Sequence, residues 1–495
     1  MNAIGERVRR VKLGVAFAAA VSAFGALPVA TAGAEIAGYR RLVELESSRV
    51  FSSEITYDLQ QRDTALAARA ALAAGRTKDL RALQPLERAA RHAHDPAVRA
   101  MAIYGVGLLA DVMRVDIPVI AFALHDPASV VRAAAVNAAS RAVAAHRPGS
   151  LALAAPLVAM MRADADAIVR ARASTALAAF ADTTAATRVG AAVMTAFGHE
   201  RNPVVRWHEA WTLGRAFPLA PTYAQIGAGL ADRDELVRIG FLTVAGRSKN
   251  AAVASLIDPL LSDPSWRVAE QARESLNRLH GGDRTQHLTA IPAGVITPEP
   301  VALETSVPLP RPIVPPPLRR PRASDALLDI PLMPETAAAL DGPLPGPHPR
   351  VRILTTKGAI VVRLYPEWAP LTVANFLRLV NRGYYDGERW FRIVPDFVVQ
   401  TGDPQNDNDA EPPYTIPAEE NPLEQRAGVL SMGLDYKGND AIRDSAGTQF
   451  YLTMSPQLHL NRAFTVFGEI ESGFSVLGRL IESDKMLKLD QLRDD

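Results

Sequence analysis

Between residues 60 and 282 one short phrase keeps returning: an acidic residue or asparagine, often a proline, then a valine beside an arginine opening an alanine-rich run. It reads "HDPAVRAMA" at Arg99, "HDPASVVRAAA" at Arg132 and "ADADAIVRARA" at Arg170. It returns as "RNPVVRWHEA" (Arg206), "DRDELVRIGF" (Arg238) and "SDPSWRVAEQA" (Arg267). A spacing of about 30–38 residues marks stacked helix pairs, because no such unit can bury its apolar face alone. A single-core fold is therefore excluded for this half of the chain, and 495 residues exceed one ordinary core in any case.

The local chemistry agrees. Asp95 or Asp126 is placed to cap a helix, and Pro96 or Pro127 to occupy its first turn, where no amide hydrogen is needed. Past the cap, Val98, Met101, Ala102, Gly105 and Leu108 share a helical stripe. The pattern resembles HEAT repeats, with armadillo-like repeats the near alternative. The resemblance implies that the recurring acid and arginine form a ladder between units. It also implies an α-solenoid over residues 35–285, whose concave face would hold a protein partner.

Composition removes several functions. The chain has 54 Lys+Arg against 53 Asp+Glu, which gives nucleic-acid binding no electrostatic footprint. It has no cysteine, so disulfides, thiol nucleophiles and zinc–thiolate sites are excluded. His92 and His94 lie two apart at a repeat turn and read as a solvated turn, not a metal site. Trp207 and Trp211, four apart on one helix, read as core.

Residues 1–34 combine a basic start (Arg7, Arg9, Arg10, Lys12), an apolar run and small residues at Ala32-Gly33-Ala34, the layout of a cleavable export signal. Retained, the same run of about 20 apolar residues would be a membrane anchor. The signal reading places the protein in an exported, periplasmic setting. Residues 286–349 are proline-dense and aperiodic, which predicts an extended, semi-rigid linker.

From residue 350 the pattern changes to strands. "RVRILTTKGAIVVRLYP" reads as a hairpin turning at Lys357-Gly358, and "APLTVANFLRLVNRG" as an amphipathic helix from Pro370 to the Gly383 stop. "RWFRIVPDFVVQTGDP" reads as strands Trp390–Val394 and Phe397–Gln400 parted by Pro395-Asp396. One helix among many antiparallel strands argues for a small closed barrel with capping helices. Arg392 and Gln400 are out of place in so apolar a strand pair.

These segments, with "YTIPAEENPLEQRAGVLSMG", "DSAGTQFYLTM" and "LNRAFTVFGEIESGFSVLGRL" in order, resemble the cyclophilins, the peptidyl-prolyl cis–trans isomerases. The resemblance covers residues 350–495 and implies a multidomain protein: an all-α HEAT-like solenoid followed by a closed antiparallel β-barrel. By motif it implies Arg392, Phe397 and Gln400 as the catalytic set. Val398, Gly433, Gln449, Tyr451, His459, Leu460 and Phe464 then line the substrate groove. The partners so implied are proline-containing polypeptides; no cofactor and no metal is called for. The chain departs from the family at His459, often a tryptophan, at Phe464, often a polar ring, and in an insertion at 434–446. Those departures motivate a second reading, a catalytically weak proline-peptide scaffold.

Overall fold

The computed structural model describes residues 34–281, 348–403, 414–437 and 440–492. The export-signal reading (1–34) and the linker reading (286–349) fall outside these residues, apart from their last one or two positions.

The first part is helical. It runs through α1 (Ala34–Ser47), α2 (Ser53–Asp58), α3 (Thr64–Thr77), α4 (Leu83–His92) and α5 (Pro96–Ala110). Next come α6 (Ile117–Ala123), α7 (Ser129–Ala144), α8 (Ala154–Ala163), α9 (Ala167–Leu177) and α10 (Ala186–Phe197). The array ends with α11 (Pro203–Ala216), α12 (Tyr223–Leu230), α13 (Glu235–Arg247), α14 (Ala254–Ile257) and α15 (Trp266–Leu279). The odd-numbered helices stack in one layer, each on the next, and the even-numbered helices from α4 onward form a second layer behind them.

Helix α5 shows why stacking is obligatory: every residue from Ala100 to Ala110 is buried, not only the expected stripe, because α3, α4 and α7 cover it on all sides. Small residues permit the close approach. A Cβ on Gly75 would stand 2.5 Å from the Gly105 Cα, so Gly75 tolerates no side chain without separating the helices.

The recurring arginines form a ladder. Arg99 is bidentate to Asp126 (2.8 and 3.0 Å), and Arg132 to Asp164 (2.7 Å for each bond). Arg170 meets Glu200 at 2.9 Å, Arg206 meets Asp232, and Arg238 meets Asp263 at 3.0 Å. Each of these arginines also donates to carbonyls of the turn before its own helix, as Arg132 does to Asp126 O and Pro127 O. The planar fork of arginine suits this double duty.

Capping is corrected in one repeat. Asp95 caps α5, accepting from Ala97 N at 2.7 Å, with Pro96 in the first turn. Asp126 does not cap α7: Ala128 is the N-cap, Pro127 precedes it, and Asp126 accepts from Ala128 N at 2.9 Å while holding Arg99. The two extra residues of "HDPASVVR" shift the helix start and free the acid for the ladder.

The second part is a curled antiparallel sheet of eight strands. They are β1 (Arg350–Thr355), β2 (Gly358–Leu364), β3 (Arg392–Val394), β4 (Val398–Thr401), β5 (Val429–Met432), β8 (Phe450–Thr453), β9 (Val466–Ser472) and β10 (Met486–Leu492), in the order β10-β1-β2-β9-β5-β8-β4-β3. A separate small hairpin, β6 (Tyr436–Lys437) with β7 (Asp440–Ala441), rises from the 434–446 segment. The two sheet edges meet through Trp390 N to Asp484 O, Gly387 N to Met486 O and Met486 N to Glu388 O. That use of Trp390 is why β3 starts at Arg392, and Phe397 lies in the turn because its N–H bonds Val394 O at 3.0 Å. Helix α16 (Pro370–Asn381) covers one end and sends Phe376 into an aromatic cluster with Tyr385, Phe450 and Phe467, at ring separations of 5.3–5.6 Å.

The two parts are docked. Arg76 of α3, fully buried, donates to Trp368 O (2.7 Å) and Glu420 O (2.8 Å) of the barrel while pairing with Glu46 (2.9 Å). Arg141 of α7 pairs with Glu420, Arg172 of α9 with Glu424, and Arg49 with Asp444. Tyr365, Trp368 and Leu458 of the barrel belong to the helical array's apolar core, and Val43 of α1 to the barrel's. The layer of odd-numbered helices thus faces the protein's own barrel over much of its length, which the pattern of two modules and a spacer did not foretell.

Candidate active site

Strands β3 and β4 pair with Arg392 opposite Gln400 and Val394 opposite Val398. Period-two alternation therefore puts Arg392 and Gln400 on one face and brings them within reach. Arg392 Nη1 donates to Gln400 Oε1 at 3.2 Å, and Gln400 Nε2 donates to Gln449 Oε1 at 3.0 Å. The Arg392 guanidinium lies over the Phe397 ring, 5.5 Å from its centroid, and the His459 ring stacks on Phe397 at 5.8 Å and 14°.

Beside this polar chain lies a separate apolar cluster of Val398, Tyr451, Leu460 and Phe464, with Phe397 packed against it. Phe464 meets Tyr451 edge-on at 5.7 Å and 83°. Burial raises the Tyr451 phenol, whose hydroxyl lies by the hydrogen-bonded Ser431–Gln425 pair. Gly433 sits at the seam: its N–H bonds Gln449 O at 2.8 Å, and a Cβ there would stand 3.0 Å from Gln449 Cβ and 3.4 Å from Gln400 Nε2. The groove residues that the resemblance implies therefore fall in one place.

Electrostatics place the Arg392 cation beside an apolar floor. Burial lowers the Arg392 pKa, with Tyr436 opposing that shift, yet a guanidinium stays charged in proteins. Burial and the nearby Arg215 push the His459 imidazole down to about 4, so it is neutral at physiological pH. Asp396, left-handed at φ 57°, carries the chain around the β3–β4 turn, and its carbonyl accepts from Ser455 Oγ and from Gln457 Nε2 (2.9 Å). Asparagine and aspartate tolerate that conformation better than most residues.

The family model of "Cyclophilin type peptidyl-prolyl cis-trans isomerase/CLD" matches residues 350–491. The chain is 41% identical over 136 residues to peptidyl-prolyl cis-trans isomerase B of Bacillus subtilis, covering 91% of that protein and 27% of this one. The chain belongs to the cyclophilin-type peptidyl-prolyl cis-trans isomerases. It is also 37% identical over 142 residues to the isomerase of Synechococcus elongatus, covering 94% of it and 28% of this chain. A crystal structure of a Cryptosporidium parvum cyclophilin is similar at 25% identity and a TM-score of 0.28, over 30% of this chain and 99% of that one.

Two features of this cyclophilin escaped the sequence. Tyr436, in the hairpin of the insertion, reaches the groove: its ring lies 6.4 Å from that of Phe464, and Leu434 and Ala441 pack against the apolar cluster. The alternating "DYKGNDAI" around a glycine was the available signal for that hairpin. The second is Arg267, the last repeat arginine. It pairs back to Glu235 at 2.7 Å and across to Asp396. Among the described residues no cluster of acids and histidines could hold a metal, and no helix is long and apolar enough to cross a membrane.

Proposed function

We propose that this cyclophilin acts on proline-containing segments of exported proteins, with Arg392, Phe397 and Gln400 as its catalytic set. On this reading residues 35–285 form a HEAT-like array that holds the barrel and recruits polypeptide to it. Rotation about an X–Pro bond faces a barrier of about 18–20 kcal/mol and takes tens of seconds or more unaided. Reaching about 10³ s⁻¹ requires removing roughly 6 kcal/mol, at 1.36 kcal/mol per decade. No bond to a heavy atom breaks, so the task is stabilising a twisted amide more than a planar one.

The observation that carries the reading is the guanidinium of Arg392 held by Gln400 above Phe397, at the edge of a buried apolar cluster. Twisting localises the lone pair on the prolyl nitrogen, which a guanidinium N–H can meet. One such charged hydrogen bond contributes about 1.5–3 kcal/mol, less than the whole. The balance falls to the apolar cluster, which grips the ring and desolvates the amide, and to the Gln400–Gln449 pair, which orients the peptide backbone. Support for the array comes from the arginine–acid ladder, which runs in register from Arg99 to Asp263. Support for export comes from the signal-like composition of residues 1–34.

The test is exchange NMR of a short proline peptide with the full chain and with Arg392→Ala. Acceleration that collapses in the variant is expected. Binding without acceleration would make the protein a proline-peptide scaffold instead.

A further inference from the structure

The groove does not stop at the barrel. Arg392, Val394, Pro395, Phe397 and His459 form one wall of a cavity of about 680 Å³, and helices α11, α13 and α15 form the other. Trp211, Ile239 and Trp266 project from those three helices into it. All three are only half-buried, whereas Trp207, one turn before Trp211, is buried in the array core. The helical layer thus leaves large apolar side chains partly exposed where the catalytic groove opens.

The gap is built. The Arg172–Glu424 pair fixes the barrel on α9, and the Arg267–Asp396 pair fixes it on α15, so the cleft between these anchors has a set width. Its size falls in the range of about 300–1,000 Å³ that holds drug-sized ligands, well beyond the needs of one proline ring. Its rim carries Arg215, Glu270 and Gln271, polar groups of both signs that can meet the amides of an extended chain. Arg392 and Phe397 line the same space, and Phe397 also packs against the apolar cluster, so whatever occupies the cleft adjoins the bound proline.

We propose that this cleft is an extended subsite for the substrate polypeptide itself. It takes residues flanking the proline in an unfolded segment and selects a large aromatic or aliphatic residue there. The proposal rests on the isomerase reading and adds to it a substrate class: apolar-rich unfolded chains, gripped between the array and the barrel. A folded surface loop would carry its own bulk into a space bounded on two sides and is disfavoured.

The test compares three peptides on the full chain by exchange NMR: an Ala-Pro tetrapeptide, a proline dodecapeptide with phenylalanine and leucine on both flanks, and the same dodecapeptide with serines there. Expected is a preference of about tenfold in kcat/KM for the apolar dodecapeptide over the serine one, carried by KM. Trp211→Ser should abolish most of that preference and leave tetrapeptide turnover unchanged. Should that variant fail to fold, Ile239→Asn on the neighbouring helix gives the same readout. Equal turnover of the two dodecapeptides by the wild type would overturn the proposal, as would an equal loss on all three peptides in the variants. Failure of the wild type to turn over even the tetrapeptide would overturn the isomerase reading alone. Quenching of tryptophan fluorescence by the apolar dodecapeptide, lost in Ile239→Asn, which keeps Trp211 and Trp266, would then still uphold the cleft, and its absence would sink it.

Discussion

Arg267 Nε donates to Asp396 Oδ1 across 2.5 Å, tying the last rung of the helical ladder to the residue that immediately precedes Phe397. In the five preceding rungs the arginine reaches an acid of the next repeat; Arg267 reaches the barrel instead. Its place in the helix explains this. Arg238 lies four residues past its N-cap, Asp234, but Arg267 lies only two past Ser265. Removing the guanidinium as Arg267→Met should release the turn and let Phe397 move. The lost charged hydrogen bond corresponds to about 1.5–3 kcal/mol at most, less here because Asp396 is partly exposed. We expect kcat/KM for a short peptide to fall several-fold through kcat, with partial recovery in Arg267→Lys. Unchanged kinetics in Arg267→Met would show that the barrel holds its turn unaided.

A second consequence concerns the joint between the two parts. Arg76 is fully buried and spends its three donor positions on Glu46, Trp368 O and Glu420 O. Breaking a buried pair by removing one partner costs about 3–5 kcal/mol, because the other charge stays behind. Here Glu46 would keep only Arg69, at 2.7 Å. Urea unfolding followed by tryptophan fluorescence and by far-UV dichroism should coincide in the wild type. In Arg76→Met the two probes should separate, as the barrel loses its tie to α3. Lysine should not restore coincidence, since it lacks the planar fork that serves two carbonyls and a carboxylate at once.

The contrast between what the sequence announced and what it hid follows the range of the forces. Helix pairing was legible because caps and Val-Arg openings recur locally; Arg392 and Gln400 stood out from an apolar strand pattern, but their proposed role and the rest of the groove came only through the family resemblance. Asp126 was misplaced as a cap because a two-residue shift in helix start leaves no mark in composition. The docking was hidden because Arg76, Arg141 and Arg172 look like any helix arginine until the partners, hundreds of positions away, come into view. Tyr436 was hidden for another reason. Its position depends on how an inserted hairpin folds back, held by Asp435 N to Ser445 Oγ at 2.8 Å and Ile442 N to Asp435 O at 2.7 Å.

That hairpin supplies a third expectation. Tyr436 is largely exposed and stands between Phe464 and Arg392, so it can touch bound substrate without supporting the core. Tyr436→Ala should raise KM about threefold and leave kcat and thermal stability unchanged, the signature of binding shared by ground and transition states. A fall in kcat would instead place Tyr436 in the transition-state environment.

The array core carries a pH dependence of its own. Glu209 on α11 is wholly buried and neither carboxylate oxygen has a hydrogen-bond partner in the structure; burial and Glu200 push its pKa up to about 8, against Arg206 and Arg170. Its neighbour His208 is pushed down to about 4 by burial, with Glu424 opposing and Arg172 assisting, and its Nδ1 bonds Thr175 Oγ1 at 2.8 Å. For Glu209 the folded state holds the proton that the unfolded state releases near 4.5, so stability falls as pH rises from there to about 8. For His208 the unfolded state takes a proton near 6.5 that the folded state refuses, so stability falls as pH drops from there to about 4. The contributions of these two residues cancel between about 4.5 and 6.5, and above that only the Glu209 slope of the pair remains. At 1.36 kcal/mol per unit, the Glu209 contribution should fall by roughly 2 kcal/mol between pH 6.5 and 8, read as the difference between the wild type and Glu209→Gln because Lys78, Glu367 and Glu388 also titrate near 7. Glu209→Gln mimics the neutral acid and should gain on the wild type as pH rises across that window. Parallel denaturation curves for the two proteins from pH 6.5 to 8 would refute the buried neutral acid.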